Sequence, residues 1–136
     1  MKEITLEARQ ENVRALTDMV DAELEKLDCP MKAQMQIELA IDEIFTNIVS
    51  YAYGSGTGTA TVQMSYDAGT GEVSLVFMDS GVPYDPLKKE DPDVNLPAEE
   101  RAIGGLGIFL VKKTMDDMRY EYRDGRNCLT LVKKIR

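Results

Sequence analysis

The chain has 136 residues, enough for one domain with its own core, and 43% of them are hydrophobic and 29% charged. A formal net charge of −8 argues against a nucleic-acid-binding surface, and the absence of histidine excludes histidine-dependent catalysis on this chain. No apolar run approaches the roughly 18 residues of a membrane-spanning helix, and the first residues lack the apolar core of a signal peptide, so we expect no membrane contact and a cytoplasmic location.

The first part of the chain predicts a strand followed by two helices. Residues 2–8 alternate polar and apolar side chains, as a half-buried strand does. Residues 9–27 predict a helix, and Pro30 separates it from a second helix over residues 31–53. The apolar positions of the first helix are Val13, Leu16, Val20, Leu24 and Leu27. The glycine-rich run at 54–59 lacks the lysine of a phosphate-binding loop and precedes a strand, so we interpret it as a flexible connector.

The second helix carries a carboxylate and an amide at the margin of its apolar face. Glu43 and Asn47 are four residues apart and therefore lie one above the other on the same edge of the helix. An amide in this position is costly unless it has a partner. Two interpretations stay open. The pair is either a satisfied interfacial asparagine beside a surface glutamate, or a proton acceptor and a cation ligand that face a shared cleft.

A predicted hairpin leads to another acidic position. Residues 61–66 alternate, a turn at 67–71 reverses the chain, and the following strand is apolar almost throughout, as a central strand would be. This strand runs into Asp79, with Gly81 close behind. The acid either marks a simple turn, or it lies at the floor of a cleft where it accepts a hydrogen bond from an exocyclic amine while glycine admits a flat ring.

The last part of the chain combines a long polar segment with a glycine-rich helix start. Residues 85–103 are rich in proline and charge and show no periodicity, which is typical of a lid or of a solvated surface loop. The motif Gly104-Gly105-Leu106-Gly107 then opens an apolar helix over residues 108–115, and free N–H groups with a helix dipole behind them form a natural anion site. Two final strands are predicted at 118–123 and 127–135.

The order of these motifs resembles the GHKL (Bergerat-fold) ATPase superfamily, and most closely the short bacterial anti-sigma factor serine/threonine kinases. The resemblance covers about residues 31–135 and rests on IDEIFTN at 41–47, the Asp-Ser-Gly box with its Tyr-Asp-Pro tail, and MDD after the glycine helix. It implies one histidine kinase-like ATPase domain over residues 1–136. The implied fold class is an α/β (α+β) two-layer sandwich, with a mixed, largely antiparallel sheet covered on one face by helices.

The resemblance also implies a role for each site residue. Asn47 would hold Mg²⁺ through its side-chain oxygen, and Glu43 would be the general base that activates an attacking hydroxyl. Asp79 would receive the amino group of the adenine of ATP, and the 85–103 segment would close as a lid. The remaining implied nucleotide contacts are Gly81, Pro83, Gly104, Gly105, Leu106, Gly107 and Thr130.

Three departures from the family pattern concern the pocket. Pro83 stands where many relatives have a second glycine, which stiffens the box after Asp79. The final strand reads GRNCLTL where relatives often have Gly-Thr, so Asn127 and Thr130 are both candidates for the contact beneath adenine. The arginine that touches the terminal phosphate in some relatives has no clean match in this chain, although Arg101 lies near that position.

Three functions remain in competition. The resemblance implies a kinase that binds a sigma factor and phosphorylates a small anti-anti-sigma antagonist protein. An ATP-dependent binding module without phosphotransfer is the alternative, against which the retained Glu43 argues. Nothing in the sequence supplies a second substrate pocket for the third, a metabolic ATPase or small-molecule kinase. The family suggests a homodimer built from N-terminal segments, whereas the apolar face of the first helix could instead pack on the domain's own sheet.

Overall fold

The computed structural model describes residues 1–54, 56–88 and 105–136. Arg101, Gly104, the larger part of the predicted lid and the side chain of Leu106 lie outside the described residues. The described helices are α1 (Val13–Lys26), α2 (Met31–Tyr51) and α3 (Gly105–Thr114), with single 3-10 turns at Gln10–Asn12 and Pro86–Lys88. The strands are β1 (Lys2–Glu7), β2 (Thr59–Asp67), β3 (Glu72–Asp79), β4 (Asp117–Arg123) and β5 (Arg126–Lys134).

The helices begin and end where local chemistry requires. α1 begins at Val13 rather than at the predicted Arg9, because a 3-10 turn precedes it. Asp28 adopts a left-handed conformation with φ of 52°, which ends the helical path before Pro30. α2 ends at Tyr51, two residues before its predicted end, and Gly54 takes a φ of 57° that glycine adopts at little cost.

The five strands form one sheet in the order β1-β2-β3-β5-β4, and every neighbouring pair is antiparallel. β3 is therefore the central strand, as its apolar sequence predicts. After β3 the chain forms α3 and β4 before it reaches β5. In the sheet, β5 lies between β3 and β4. The predicted two-layer α+β class is confirmed, with a described sheet that is antiparallel throughout.

The core lies between the helices and one face of the sheet. α2 packs between α1 and α3, and its apolar side chains join those of β2, β3 and β5 in one cluster. Leu16, Val20 and Leu24 of α1 are fully buried in that cluster. Each such side chain contributes about 1.5–3 kcal/mol through removal from water. The apolar face of the first predicted helix thus packs within its own domain.

The register of the two central strands places two polar residues side by side. Asp79, the last residue of β3, pairs with Asn127 near the start of β5. Both are buried, although the rest of that sheet face is apolar. This pair lies at the end of the sheet toward which the last turn of α2 extends, because Ala52 contacts the segment after Asp79. None of the helices described has the combined length and hydropathy that crossing a bilayer requires.

Candidate functional site

A cleft opens at this end of the sheet, between α2 and the segment that follows β3. It encloses about 420 Å³, its open mouth included. Its walls are apolar, with Ile44 and Ile48 on α2 facing Phe77 and Leu129 on the sheet. Three polar side chains and three tyrosines line the same space: Asn47, Asp79, Asn127, Tyr51, Tyr84 and Tyr120. A mostly apolar cleft with a few convergent polar groups is the usual form of a small-molecule site.

Asp79 presents one occupied and one available carboxylate oxygen. Its Oδ1 accepts hydrogen bonds from the backbone N–H of Gly81 and from Nδ2 of Asn127, both at 2.9 Å. Within the part of the chain that is described, its Oδ2 has no hydrogen-bond partner. The residue is 6% exposed and lines the cleft. An available carboxylate oxygen in a mostly apolar cleft suits a ligand that donates a hydrogen bond there.

Asn127 connects this carboxylate to its surroundings. Its Nδ2 donates to the carbonyl oxygen of Val82 at 2.9 Å as well as to Asp79, and its Oδ1 accepts from the backbone N–H of Tyr84 at 3.0 Å and from the hydroxyl of Tyr120. Burial raises the pKa of the Tyr120 hydroxyl, which therefore keeps its proton as the donor in this contact.

Gly81 allows the segment after Asp79 to pack against the end of α2. A Cβ at Gly81 would lie 2.1 Å from the backbone oxygen of Ala52, and the neighbouring Val82 N–H donates to that same oxygen at 2.8 Å. Tyr53 adds a second attachment, since its hydroxyl donates to the carbonyl oxygen of Thr59 at 2.6 Å and accepts from the N–H of Ser80 at 2.9 Å. The backbone that comes close to Gly81 is therefore that of Ala52.

Four predicted contact residues that the structure describes do not line the cleft: Gly81, Pro83, Gly107 and Thr130. Thr130 lies on the opposite face of the sheet, because side chains alternate along β5 and Asn127 and Leu129 occupy the face toward the helices. Pro83 is exposed and does not line the cleft, whereas the buried Pro86 does. Sequence reasoning used Tyr84 and Pro86 only as parts of the Tyr-Asp-Pro tail and assigned neither a place in the cleft. The ring of Tyr84 stacks on that of Tyr51 with centroids 5.2 Å apart.

Glu43 and Asn47 lie where α2 meets the start of α3. A Cβ at Gly107, the third residue of α3, would lie 2.1 Å from Cδ of Glu43, so the carboxyl group is packed against the glycine. The first turn of α3 contains no acidic residue, and the positive end of its dipole favours a carboxylate nearby. Asn47 lines the cleft one helical turn further on, and its buried Nδ2 has no hydrogen-bond partner among the described residues. Gly105, which with Gly107 is a predicted phosphate contact, is the first residue of α3.

Comparison with known proteins identifies the family. Residues 6–133 match the model of the histidine kinase-like ATPase domain. The chain belongs to this family. It is 33% identical over 101 residues to the serine/threonine-protein kinase BtrW of Bordetella bronchiseptica, a match that covers 74% of this chain and 70% of that protein. It is 32% identical over 98 residues to the serine-protein kinase RsbW of Bacillus cereus, covering 68% of this chain and 59% of that protein.

A solved structure supports the fold assignment of this histidine kinase-like ATPase domain. The crystal structure of the RsbU and RsbW domains of a Mycobacterium tuberculosis protein matches 99% of this chain with a TM-score of 0.63. The match covers 33% of that longer chain at 15% sequence identity, so it bears on the fold alone. The described helices and antiparallel sheet therefore share their arrangement with the matched part of that chain.

Proposed function

We propose that this chain is an ATP-binding protein serine/threonine kinase of the anti-sigma factor type, which sequesters a sigma factor and phosphorylates an antagonist protein. The observation that carries the proposal is the position of Asn47. It lines the cleft that contains Asp79, and it lies one turn from Glu43, whose carboxyl group packs on Gly107 at the start of α3. The cleft thus contains an acceptor for a base and an amide for a metal, and the start of α3, which would bind the phosphates, lies beside Glu43 one helical turn from that amide.

The residues present fit ATP and Mg²⁺. Oδ2 of Asp79 lacks a partner within the described chain and would accept the amino group of adenine. The buried Nδ2 of Asn47 has no partner there and would donate to a phosphate oxygen, while the side-chain oxygen of Asn47 would ligate Mg²⁺. Bound Mg²⁺ would supply charge neutralisation on the phosphates. The N–H groups of Gly105 and Gly107, with the dipole of α3, would bind those phosphates.

Glu43 would act as the general base. Its carboxylate would accept the proton of the serine or threonine hydroxyl as the hydroxyl oxygen bonds to the terminal phosphorus and the bond from that phosphorus to the β,γ-bridging oxygen breaks, which releases ADP. The contact with Gly107 holds the carboxylate at the end of α3 where the phosphates would lie. Most of the remaining rate acceleration in phosphoryl transfer comes from positioning and charge neutralisation rather than from covalent chemistry.

The partners and the assembly are also part of the proposal. The match covers 59% of the Bacillus cereus relative, so the sigma factor and the small anti-anti-sigma protein are inferred through the family resemblance. We propose that residues 1–136 form a single cytoplasmic domain that acts as a homodimer. Because the apolar face of α1 is buried within the protomer, the dimer would use another surface. Light scattering that gives the monomer mass at tens of micromolar would contradict the dimer.

The kinase proposal is tested by nucleotide binding and phosphotransfer measured on the same variants. We expect Glu43→Gln to leave ATP affinity within a few-fold and to reduce transfer to an antagonist domain by at least about 10²-fold. Asn47→Ala should weaken both Mg²⁺-dependent binding and transfer. Asp42→Asn and Glu38→Gln, on other edges of α2, serve as matched controls and should do neither.

Two results would change the conclusion. Transfer at the wild-type rate by Glu43→Gln would show that Glu43 is not the base. A wild-type protein that binds ATP and a sigma factor but transfers phosphate to no antagonist would instead be an ATP-dependent binding module. Calorimetric titration with ATP and GTP tests the nucleotide site itself, because equal affinities would contradict recognition of adenine by Asp79.

A further inference from the structure

The hydrogen-bonding capacity of Asn127 is fully used within the protein. A side-chain amide has two N–H donors and an oxygen with two lone pairs. The donors go to Asp79 and to the carbonyl oxygen of Val82, and the oxygen accepts from the N–H of Tyr84 and the hydroxyl of Tyr120. At 5% exposure, the side chain has no further group to offer a ligand. Asn127 therefore acts on a bound nucleotide through the residues that it holds.

We propose that Asn127 is the positioning residue that determines base specificity in this cleft, an inference that rests on the nucleotide site proposed above. Its Nδ2 and the N–H of Gly81 both donate to Oδ1 of Asp79, each at 2.9 Å. Two donors from different directions fix the orientation of the carboxylate, and Oδ2 is left as its available oxygen. Oδ2 of Asp79 would accept a hydrogen bond from the amino group of adenine. It would repel the carbonyl oxygen that guanine and hypoxanthine carry at the same ring position.

The same side chain also fixes the walls around the base. Through Val82 and Tyr84 it holds the segment after β3, and through Tyr120 it connects that segment to β4. The ring of Tyr84 stacks on Tyr51 of α2, so the position of this aromatic wall depends on Asn127 as well. The amide of Asn127 on β5 thus connects to β3, to the residues directly after β3 and to β4.

The experiment compares ATP with purine riboside triphosphate, which lacks the exocyclic amino group, by calorimetric titration. We expect the wild type to bind ATP about 10-fold or more tightly than purine riboside triphosphate, because Oδ2 of Asp79 has no hydrogen-bond donor in the complex with the analogue. Asn127→Ala should lose most of this preference, because its affinity for ATP should fall by about 10-fold more than its affinity for purine riboside triphosphate, whatever loss from the displaced walls the two nucleotides share. Thr130→Ala, on the same strand but the opposite face, should leave both affinities unchanged.

A second variant keeps the test decisive if Asn127→Ala folds poorly. Asn127→Thr suits a strand and retains a hydroxyl donor for Asp79, so it should keep a preference for ATP. Equal losses for both nucleotides in a folded Asn127→Ala protein, or loss of the preference in a folded Asn127→Thr protein, would overturn the inference and leave the nucleotide site intact. A wild type that binds ATP without preference, or not at all, would overturn the nucleotide site and the inference with it.

Discussion

The carboxyl group of Glu43 occupies the space that a side chain at Gly107 would need. A Cβ at that position would lie 2.1 Å from Cδ and 2.2 and 2.4 Å from the two carboxyl oxygens. The glycine thus has a structural role in addition to the proposed access of phosphate to the backbone of α3. It leaves room for the proposed base at the positive end of the helix.

Gly107→Ala should reveal this contact as an energetic coupling. Alanine is better than glycine in a helix by about 1 kcal/mol, so the substitution should stabilise a protein in which Glu43 has been changed to alanine. In the wild-type background the methyl group displaces the carboxyl group, and the gain should be smaller or reversed. We expect a coupling of about 0.5–3 kcal/mol between the two sites in a double-mutant cycle measured by denaturant unfolding. Additivity of the two changes would contradict the contact.

Asn47→Leu should separate stability from nucleotide binding. The buried nitrogen of Asn47 has no partner among the described residues, and an apolar side chain of similar size removes that cost. We expect the nucleotide-free variant to gain about 1 kcal/mol in free energy of unfolding, while Mg²⁺-ATP no longer raises its melting temperature. A destabilised variant would show that the amide is satisfied in the free protein.

Glu38→Gln should stabilise the protein at neutral pH. A hydrogen bond to Asp21, then burial and the charge of Asp21, raise the pKa of Glu38, and Gln34 donates to Oδ1 of Asp21 at 3.1 Å. Because the pKa is raised on folding, the stabilising protonated contact is present at acid pH and is lost as the pH rises through the folded-state pKa. Above it, two carboxylates face each other between α1 and α2.

The size of this effect is limited by solvent. Since Glu38 keeps contact with water, we expect the variant to exceed the wild type by a few tenths to about 1 kcal/mol at pH 7, and the difference to shrink toward pH 4. Thermal unfolding across this pH range measures it, with the exposed Asp42→Asn as the control on the same helix. A difference that does not depend on pH would show that the two carboxyl groups are not coupled.

Gly81→Ala should be more damaging than Gly107→Ala. At Gly81 the added methyl group meets the backbone of Ala52, with the oxygen 2.1 Å and the carbonyl carbon 2.5 Å away, and neither atom can rotate aside. The segment after Asp79 must then move away from α2, at a cost of about 1–3 kcal/mol. Because this segment donates to Asp79, ATP affinity should fall as well, as titration would show. Wild-type affinity in a folded variant would contradict the packing.

The sequence predicted the parts of the site that depend on periodicity within one element. Glu43 and Asn47 were placed on one edge of α2 by helical spacing, and Asp79 at the end of a central strand by its apolar run. The alternation of β5 could also have separated Asn127 from Thr130, since positions three apart on a strand face opposite ways. A polar residue on an otherwise apolar strand face was the signal for Asn127.

The features that sequence reasoning missed depend on contacts between distant elements. Gly81 was expected to leave room for a base. Glycine is required at this position because the backbone of Ala52, directly after α2, lies where a side chain would be. The bonds from Asn127 to Tyr84 and Tyr120 depend on strand register and on the path of the segment after β3. No local pattern encodes such contacts, because they arise only when the sheet and α2 are packed together.

The antiparallel pairing of β3 with β5 also determines when the cleft can form during folding. Asp79 and Asn127 are 48 positions apart in the chain, and their hydrogen bond requires β5 to enter the centre of the sheet. Pairings over such distances form late, because the entropy of closing the loop must be overcome first. A growing chain would therefore acquire affinity for nucleotide only after β5 has been made, and ribosome-bound chains that end before Arg126 should retain none on an ATP-coupled resin.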